Sequence, residues 1–136
     1  MNNHYIKSIL ILLITGFLFF SCEDKKEDTT PPTVTITSPA TDDTVLGIVT
    51  ITCMATDNEG IAKVELWVDG DTTGIVDHIE PYSLDWNTET YENGAHNIIV
   101  RADDTNGNKT DSEPVILIVS NLDTIPPIPP PPPVAP

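Results

Sequence analysis

Apolar and polar residues alternate in short segments through the middle of the chain, and turn-forming residues separate these segments. The first segment, TVTIT at residues 33–37, alternates hydroxyl and aliphatic side chains. Successive side chains of a β-strand point to opposite faces, so a period of two predicts a half-buried strand. The same pattern predicts strands at residues 48–55, 62–68, 75–79, 82–86, 96–102 and 115–119, and no stretch has a helical period.

Glycine, asparagine and proline mark the turns between the predicted strands. Asp69-Gly70 predicts a tight hairpin, because glycine accepts positive φ, and Asn93-Gly94 predicts a further turn. Seven short strands with turns between them, in about ninety residues, are typical of two antiparallel sheets packed face to face. The sequence therefore predicts an all-β, immunoglobulin-like β-sandwich at residues 31–120.

The inward side chains of these strands form the predicted core. They are Val34, Ile36, Val49, Ile51, Cys53, Val64, Leu66, Val68, Leu84, Ile98, Val100, Ala102, Val115, Leu117 and Val119. In the segment at residues 62–68, the alternation also places Ala62 inward and Lys63 and Trp67 outward. Trp86 and Tyr82 are expected to close the edge of the sandwich.

The N-terminal segment has the layout of a bacterial lipoprotein signal. A polar start with Lys7 precedes an apolar run at residues 9–20, and Ser21 precedes Cys22. The run is too short for a membrane-spanning helix, which takes about 20 apolar residues. An ordinary secretory signal is the alternative, but no A-x-A-like site is present. We therefore predict a signal peptide at residues 1–21 and a lipidated Cys22. Cys53 then has no partner for a disulfide, and it is expected to be a buried small hydrophobic side chain.

An acidic segment follows the predicted anchor. EDKKED at residues 23–28 contains no apolar side chain, so residues 22–30 are expected to form a solvated tether. The segment resembles the surface-export signal of Bacteroidota lipoproteins, which implies display on the outer face of the bacterial outer membrane. The alternative is a polar linker that supplies only reach.

Charge narrows the choice of partners. The formal net charge is −15. Within residues 31–120 the lysines and arginines are Lys63, Arg101 and Lys109. A nucleic-acid surface needs clustered lysine and arginine, so the composition excludes nucleic acid as a partner. Direct adhesion to an anionic membrane surface is disfavoured for the same reason.

Five motifs, in order, carry a resemblance to a known family. They are PPTVTITSP at residues 31–39, AKVELWVDG at 62–70, PYSLDW at 81–86, NGAH at 93–96 and DTNGN at 104–108. Together they resemble a bacterial immunoglobulin-like domain of the kind repeated in secreted and surface proteins. The resemblance implies the sandwich fold and leaves the function open, because this module serves as spacer, adhesin repeat and accessory domain of glycan-degrading enzymes.

Residues 121–136 contain a short repeat and a proline run. DTTPP at residues 28–32 recurs as DTIPP at residues 123–127, an offset of 123 − 28 = 95 residues. Tandem arrays repeat at domain length, so one interpretation is the truncated start of a further repeat. The other is a common low-complexity linker. The proline run is expected to form an extended polyproline II segment that acts as a rigid stub or spacer, with docking on a partner as the alternative.

No catalytic constellation stands out in the sequence. His78 and His96 lie on predicted strands without zinc-site spacing, and no serine elbow, phosphate loop or HExxH motif is present. We therefore predict a non-enzymatic protein, with calcium as the one candidate cofactor.

Two acidic loops form a candidate calcium site. In an immunoglobulin-like sandwich, the loop after the second strand and the loop before the last strand lie at the same end. Calcium prefers hard oxygen ligands, which these loops offer. The candidate ligands are Asp57, Asn58, Glu59, Asp103, Asp104, Asn106 and Asn108. The alternative is turn chemistry, in which Asp and Asn bond their own backbone.

Two aromatic residues are candidate ligand contacts. Trp67 and Tyr91 are predicted outward or on loops, and sugar-binding surfaces use exposed aromatic faces. The main prediction is a cell-surface lipoprotein whose immunoglobulin-like domain is an adhesive or spacer module, with a glycan or a surface protein as partner. The alternative is a glycan-binding accessory lipoprotein for polysaccharide capture.

Overall fold

The computed structural model describes residues 26–121, which form nine β-strands in two sheets and one short 3-10 helix. The strands are β1 (Thr33–Ser38), β2 (Thr44–Val45), β3 (Ile48–Thr56), β4 (Ile61–Val68), β5 (Asp71–Asp77), β6 (Ser83–Asn87), β7 (Gly94–Asp104), β8 (Lys109–Asp111) and β9 (Val115–Val119). The 3-10 helix Thr88–Thr90 follows β6. None of the helical structure in this range is long and apolar enough to cross a membrane. The predictions for residues 1–25, including lipidation of Cys22, and for the tail from residue 122 onward lie outside the described residues.

The strands divide into a small and a large sheet. The small sheet has the order β1-β3-β6, and the large sheet has the order β2-β9-β7-β4-β5, with β8 beside β7. All pairs are antiparallel except β2 with β9, which is parallel. This arrangement confirms the predicted all-β sandwich.

The core lies between the two sheets and is built from the alternate residues that the sequence pattern identified. Twelve of the fifteen predicted core side chains are buried, whereas Ile36, Val49 and Val115 are partly buried and pack against that cluster. Trp86 and Tyr82 are also buried, and they lie on and next to β6, an edge strand of the small sheet. The buried position of Cys53 is confirmed, and burial raises the pKa of its thiol to about 11.

The structure differs from the alternation pattern at one residue and in two short strands. Ala62 is exposed, contrary to the prediction, because the pairing of β4 with β7 shifts register between Ile61 and Lys63. This irregularity interrupts the simple alternation. β2 and β8 contain two and three residues, too few for a period of two to be visible.

The two ends of the described chain lie at opposite poles of the sandwich. β7 runs the full length of the large sheet, and its first residue, Gly94, pairs with Val119 at the end of β9. The last residue of β7, Asp104, lies beside Asp28. We refer to the end near Asp28 and Asp104 as the N-terminal pole, and to the end near Gly94 and Val119 as the C-terminal pole.

Candidate functional site

Three carboxylates meet at the N-terminal pole. Asp28, Asp57 and Asp104 each offer one oxygen, and these three oxygens lie within 4.8 Å of one another. Asp57 and Asp104 belong to the predicted calcium ligands, whereas Asp28 belongs to the predicted tether. Negative charges at this separation repel one another unless donors or a cation offset the repulsion.

Asp104 is buried and well supplied with donors. Its Oδ1 accepts the backbone N–H groups of Asn106 and Asn108, each at 2.8 Å, and its Oδ2 accepts the Asn108 Nδ2 at 2.7 Å. Burial acts to raise the pKa of Asp104, but the hydrogen bonds from Asn108 and Asn106 outweigh it and hold the pKa below its ordinary value. The carboxylate is therefore charged at neutral pH.

Asp57 has one oxygen in a turn and one oxygen without a partner. Its Oδ2 accepts the backbone N–H groups of Glu59 at 2.8 Å and Gly60 at 3.2 Å. Its Oδ1 is shielded from solvent and has no hydrogen-bond partner among residues 26–121. A shielded carboxylate oxygen without a donor is costly, and a bound cation would remove that cost.

Asp28 is held against the two loops by asparagine side chains. Asn108 donates its Nδ2 to the backbone oxygens of Asp28 at 3.2 Å and Thr30 at 3.4 Å, and Asn106 donates its Nδ2 to the Asp28 Oδ2 at 3.3 Å. The pKa of Asp28 is lowered, chiefly by the backbone N–H of Thr30 and further by Asn58 and Asn106. This part of the predicted tether therefore contacts the domain. The sequence has no signal for that contact, because the residues involved are about eighty positions apart.

The remaining predicted ligands divide between the cluster and a separate ion pair. Asn58 bonds Asp28, and Glu59 lines a cleft beside Asp28 and Asn106. Asp103 does not join the cluster, because its Oδ2 accepts the Lys109 Nζ at 2.5 Å. It also lies 3.7 Å from the Lys63 Nζ. Adjacent residues on a strand point to opposite faces, and β7 continues through residue 104, so Asp103 and Asp104 diverge.

The two candidate aromatic contacts are engaged within the domain. The guanidinium carbon of Arg101 lies 4.2 Å above the ring centroid of Trp67, a cation–π contact that covers one ring face. Tyr91 is half-buried and packs edge-on against Trp86 and His96, at centroid distances of 5.1 and 5.5 Å. Neither ring is a freely exposed platform.

His96 forms a second polar site, at the C-terminal pole, that the sequence did not indicate. Its Nδ1 lies 2.6 Å from the Asp69 Oδ2, and its Nε2 lies 2.8 Å from the Glu92 backbone oxygen. Desolvation acts to lower the pKa of His96, but these two acceptors outweigh it and raise the pKa above its ordinary value. The protonated imidazole satisfies both acceptors at once, because both ring nitrogens then donate.

Comparison with known proteins supports the fold and the family. A family model described as a bacterial Ig domain matches residues 32–100. Among solved structures, the fibronectin(III)-like modules of Clostridium thermocellum CbhA are 31% identical, with a TM-score of 0.56 over 67% of this chain and 47% of that chain. An endo-beta-1,4-mannanase from Thermotoga petrophila is 16% identical, with a TM-score of 0.54 over 71% of this chain and 21% of that chain, a likeness of fold alone.

The chain spans about half the length of the CbhA structure that it resembles. A comparison with curated proteins finds no match. The family match includes β1 to β6 and continues into β7, and the two-sheet sandwich agrees with it. The chain therefore belongs to the bacterial Ig domain family.

Proposed function

We propose that this protein is a non-enzymatic lipoprotein of the bacterial cell surface, and that its Ig domain is a spacer between the membrane anchor and the residues after position 121. The best support is the position of the two chain ends at opposite poles. β7 alone has 11 residues, which at about 3.3 Å per residue span about 36 Å. The chain enters the domain at one pole and leaves it at the other. The domain therefore adds its full length to the distance between the segments that precede and follow it.

The proposed anchor at Cys22 sets the orientation of the domain. Residues 22–25 precede the first described residue, Lys26, and four residues extend at most about 14 Å. The backbone oxygens of residues 28 and 30 accept hydrogen bonds from Asn108, in the loop between β7 and β8 at the N-terminal pole. The N-terminal pole therefore faces the membrane in this proposal, and the C-terminal pole faces outward.

The anchor is tested by the intact mass of the protein from its own cells, combined with labelling of whole cells by a membrane-impermeant amine reagent. We expect a mass equal to residues 22–136 plus acyl chains, and labelling of the lysines. Cys22→Ala should lose the acyl mass, whereas the control Cys53→Ala should keep it. A mass that retains residues 1–21 would contradict the lipoprotein assignment, and absence of labelling would contradict outward display.

The cluster at the N-terminal pole is proposed to bind calcium through Asp28, Asp57 and Asp104. The support is the unpartnered Asp57 Oδ1 next to the carboxylates of Asp28 and Asp104. Carboxylate and backbone oxygens are the hard ligands that calcium prefers. Such a cation would tie the start of the domain to two of its loops.

Calcium binding is tested by thermal unfolding in calcium and in chelator. An ion that binds only the folded state adds about 2.7 kcal/mol when its concentration is about 100-fold above Kd. We expect calcium to raise the Tm of the wild type and to have little effect on Asp57→Asn. The control Asp103→Asn alters a neighbouring carboxylate outside the cluster and should keep the calcium response. An equal Tm of the wild type in calcium and in chelator would exclude the site.

Polysaccharide capture has less support than the spacer function. Arg101 covers one face of Trp67, and Tyr91 packs against the aromatic residues beside it. The likeness to the mannanase is at 16% identity and concerns the fold alone.

A further inference from the structure

Two large apolar side chains are exposed at the C-terminal pole, beside the point where the chain leaves the domain. Leu46 is 60% exposed and Ile48 is 73% exposed, and we refer to them as the exposed pair. They flank Gly47, where the chain crosses from β2 of the large sheet to β3 of the small sheet. Single apolar side chains are common on protein surfaces, so exposure alone indicates no partner. The position of the pair beside the chain exit points to one segment of this chain.

Asn121, the last described residue, is fixed to this crossing by hydrogen bonds. Gly47 N donates to its Oδ1 at 3.2 Å, and its Nδ2 donates to the backbone oxygen of the buried Thr88 at 2.8 Å. Its backbone N donates to the Asn93 Oδ1 at 2.7 Å. The side chain of Asn121 therefore points into the domain, and the point from which the chain departs is fixed.

The direction of departure follows from the strand pattern. Val45 and its partner Val119 are buried, so Leu46 points to the outer face of the large sheet. Asn121 lies two positions after Val119 and also points inward. Continued alternation therefore places Leu122 on the same outer face as Leu46.

Ile125 is spaced to reach the second member of the exposed pair. Ile48 begins β3 and lies on the outer face of the small sheet, because the next residue, Val49, packs against the core. Leu122 and Ile125 are three positions apart, which an extended chain spans in about 10 Å. Packed sheets are also about 10 Å apart. The spacing of these two apolar residues therefore matches the separation of the sheets that carry the exposed pair.

The short repeat in the sequence supports a buried Ile125. DTTPP at residues 28–32 recurs as DTIPP at residues 123–127, and the two copies differ at one position. The first copy has Thr30 at this position, and Thr30 is exposed. A solvated linker gains nothing from an isoleucine, whereas burial of its side chain against another apolar group is favourable.

We propose that residues 122–125, the crossing segment, pack across the C-terminal pole. Leu122 covers Leu46 in this arrangement. Ile125 covers Ile48, and the stiff proline run then leaves from the small-sheet side of the pole. The inference extends the proposed spacer function, because the domain and its tail become one rod without a hinge between them. The contact does not depend on the lipid anchor, which mass and labelling test separately.

Methyl NMR of the chain without residues 1–21, with Cys22→Ser, tests the contact directly. We expect nuclear Overhauser effects between the methyl groups of the exposed pair and those of Leu122 and Ile125. Backbone relaxation of the crossing segment should match that of β9. Absence of these effects, or fast local motion of the crossing segment, would overturn the proposal.

A mixture of isotope-labelled and unlabelled protein distinguishes the chain's own segment from a second copy. We expect no nuclear Overhauser effect between labelled and unlabelled molecules at the exposed pair. Effects between molecules would show that the exposed pair is a contact between two copies, and would overturn the proposal.

A double-mutant cycle measures the coupling between the two sides of the contact. Leu46→Ser and Leu122→Ser should each lower the urea midpoint. The double variant should lose less than the sum of the two, because both substitutions remove the same contact. Additive losses would contradict the contact. These substitutions lie outside the core, so the variants are expected to fold.

Met54→Ser is the matched control for this cycle. Met54 is 66% exposed and lies on β3, six positions from Ile48, or about 20 Å along the strand. Its effect should add to that of Leu122→Ser, because distant sites without shared partners are independent. Equal coupling of Leu122 to Met54 and to Leu46 would show that the crossing segment does not pack specifically at the C-terminal pole.

Discussion

At the scale of single residues, His96 is a titratable group in contact with two acceptors and two aromatic rings. Asp69 in the β4–β5 turn and the Glu92 carbonyl approach its two ring nitrogens, and Trp86 and Tyr91 contact the ring. The Asp69 carboxylate also accepts the backbone N–H of Asn97 at 2.8 Å. Protonated His96 therefore ties a turn to a neighbouring loop.

We expect the stabilising effect of His96 to be lost as the pH rises. The pKa of His96 in the folded protein lies above the ordinary value of 6.5. The contribution is therefore fully present below about pH 6.5 and disappears as the pH passes through the raised folded-state pKa. Urea denaturation is measured from below pH 6.5 to above the folded-state pKa of His96. Over this pH range the free energy of unfolding should fall more for the wild type than for His96→Asn. The control His78→Asn, which leaves the His96–Asp69 pair intact, should follow the wild type. Parallel pH profiles of the wild type and His96→Asn would contradict the assignment.

The cluster at the N-terminal pole illustrates which residue contacts a sequence can indicate. Asp57 and Asp104 were predicted to meet, because loop positions in a sandwich follow from strand order. The contact of Asp28 with the cluster could not be predicted, because a polar segment without apolar side chains has no pattern that indicates where it packs. The alternation predicted a strand that ends at residue 102, which placed Asp103 in the following loop and so in the cluster. In the structure β7 continues through Asp104, and Asp103 lies on the strand.

At the scale of elements, the β4–β5 hairpin depends on an unusual backbone conformation. Asp69 has φ 53° and Gly70 has φ 89°, as a tight two-residue turn requires. The Asp69-Gly70 signal predicted this hairpin correctly, because only a few residue types accept such angles. β2 left no comparable signal, since its place in the sheet depends on the distant β9.

We expect Gly70→Ala to destabilise the protein through the backbone alone. A Cβ at this position would meet no atom within 4 Å, so no clash contributes. The cost of positive φ for an alanine is about 1 kcal/mol. Urea denaturation should show a lower midpoint with an unchanged m-value. The adjacent, exposed Asp71→Ala serves as the control and should remain close to wild type, whereas an unchanged midpoint in Gly70→Ala would show that the turn adapts without strain.

At the scale of the whole molecule, excess negative charge opposes compaction. The chain has 21 acidic residues against six lysines and arginines. A few ion pairs, such as Arg101 with Asp111 at 2.6 Å, offset part of the repulsion. Exposed pairs contribute little in water, so repulsion among the unpaired carboxylates is expected to dominate.

We therefore expect moderate salt to stabilise the domain. Added NaCl shortens the screening length to about 10 Å at 0.1 M, which weakens the long-range repulsion. The urea midpoint should rise between low and moderate NaCl concentrations. KCl should have the same effect at equal ionic strength, because screening does not depend on which ion is added. A fall in the midpoint with salt would mean that attractive pairs outweigh the repulsion.

Because Trp86 contacts His96, the fluorescence of Trp86 is expected to report the protonation state of His96. The chain has two tryptophans, and Trp86 is 1% exposed with its ring centroid 6.0 Å from that of His96. A protonated imidazole at this distance quenches indole emission, so the fluorescence of Trp86 should brighten as His96 loses its proton. Trp67→Phe removes the second emitter, on the outer face of the sheet. The protonation state of His96 can then be followed spectroscopically without any added dye.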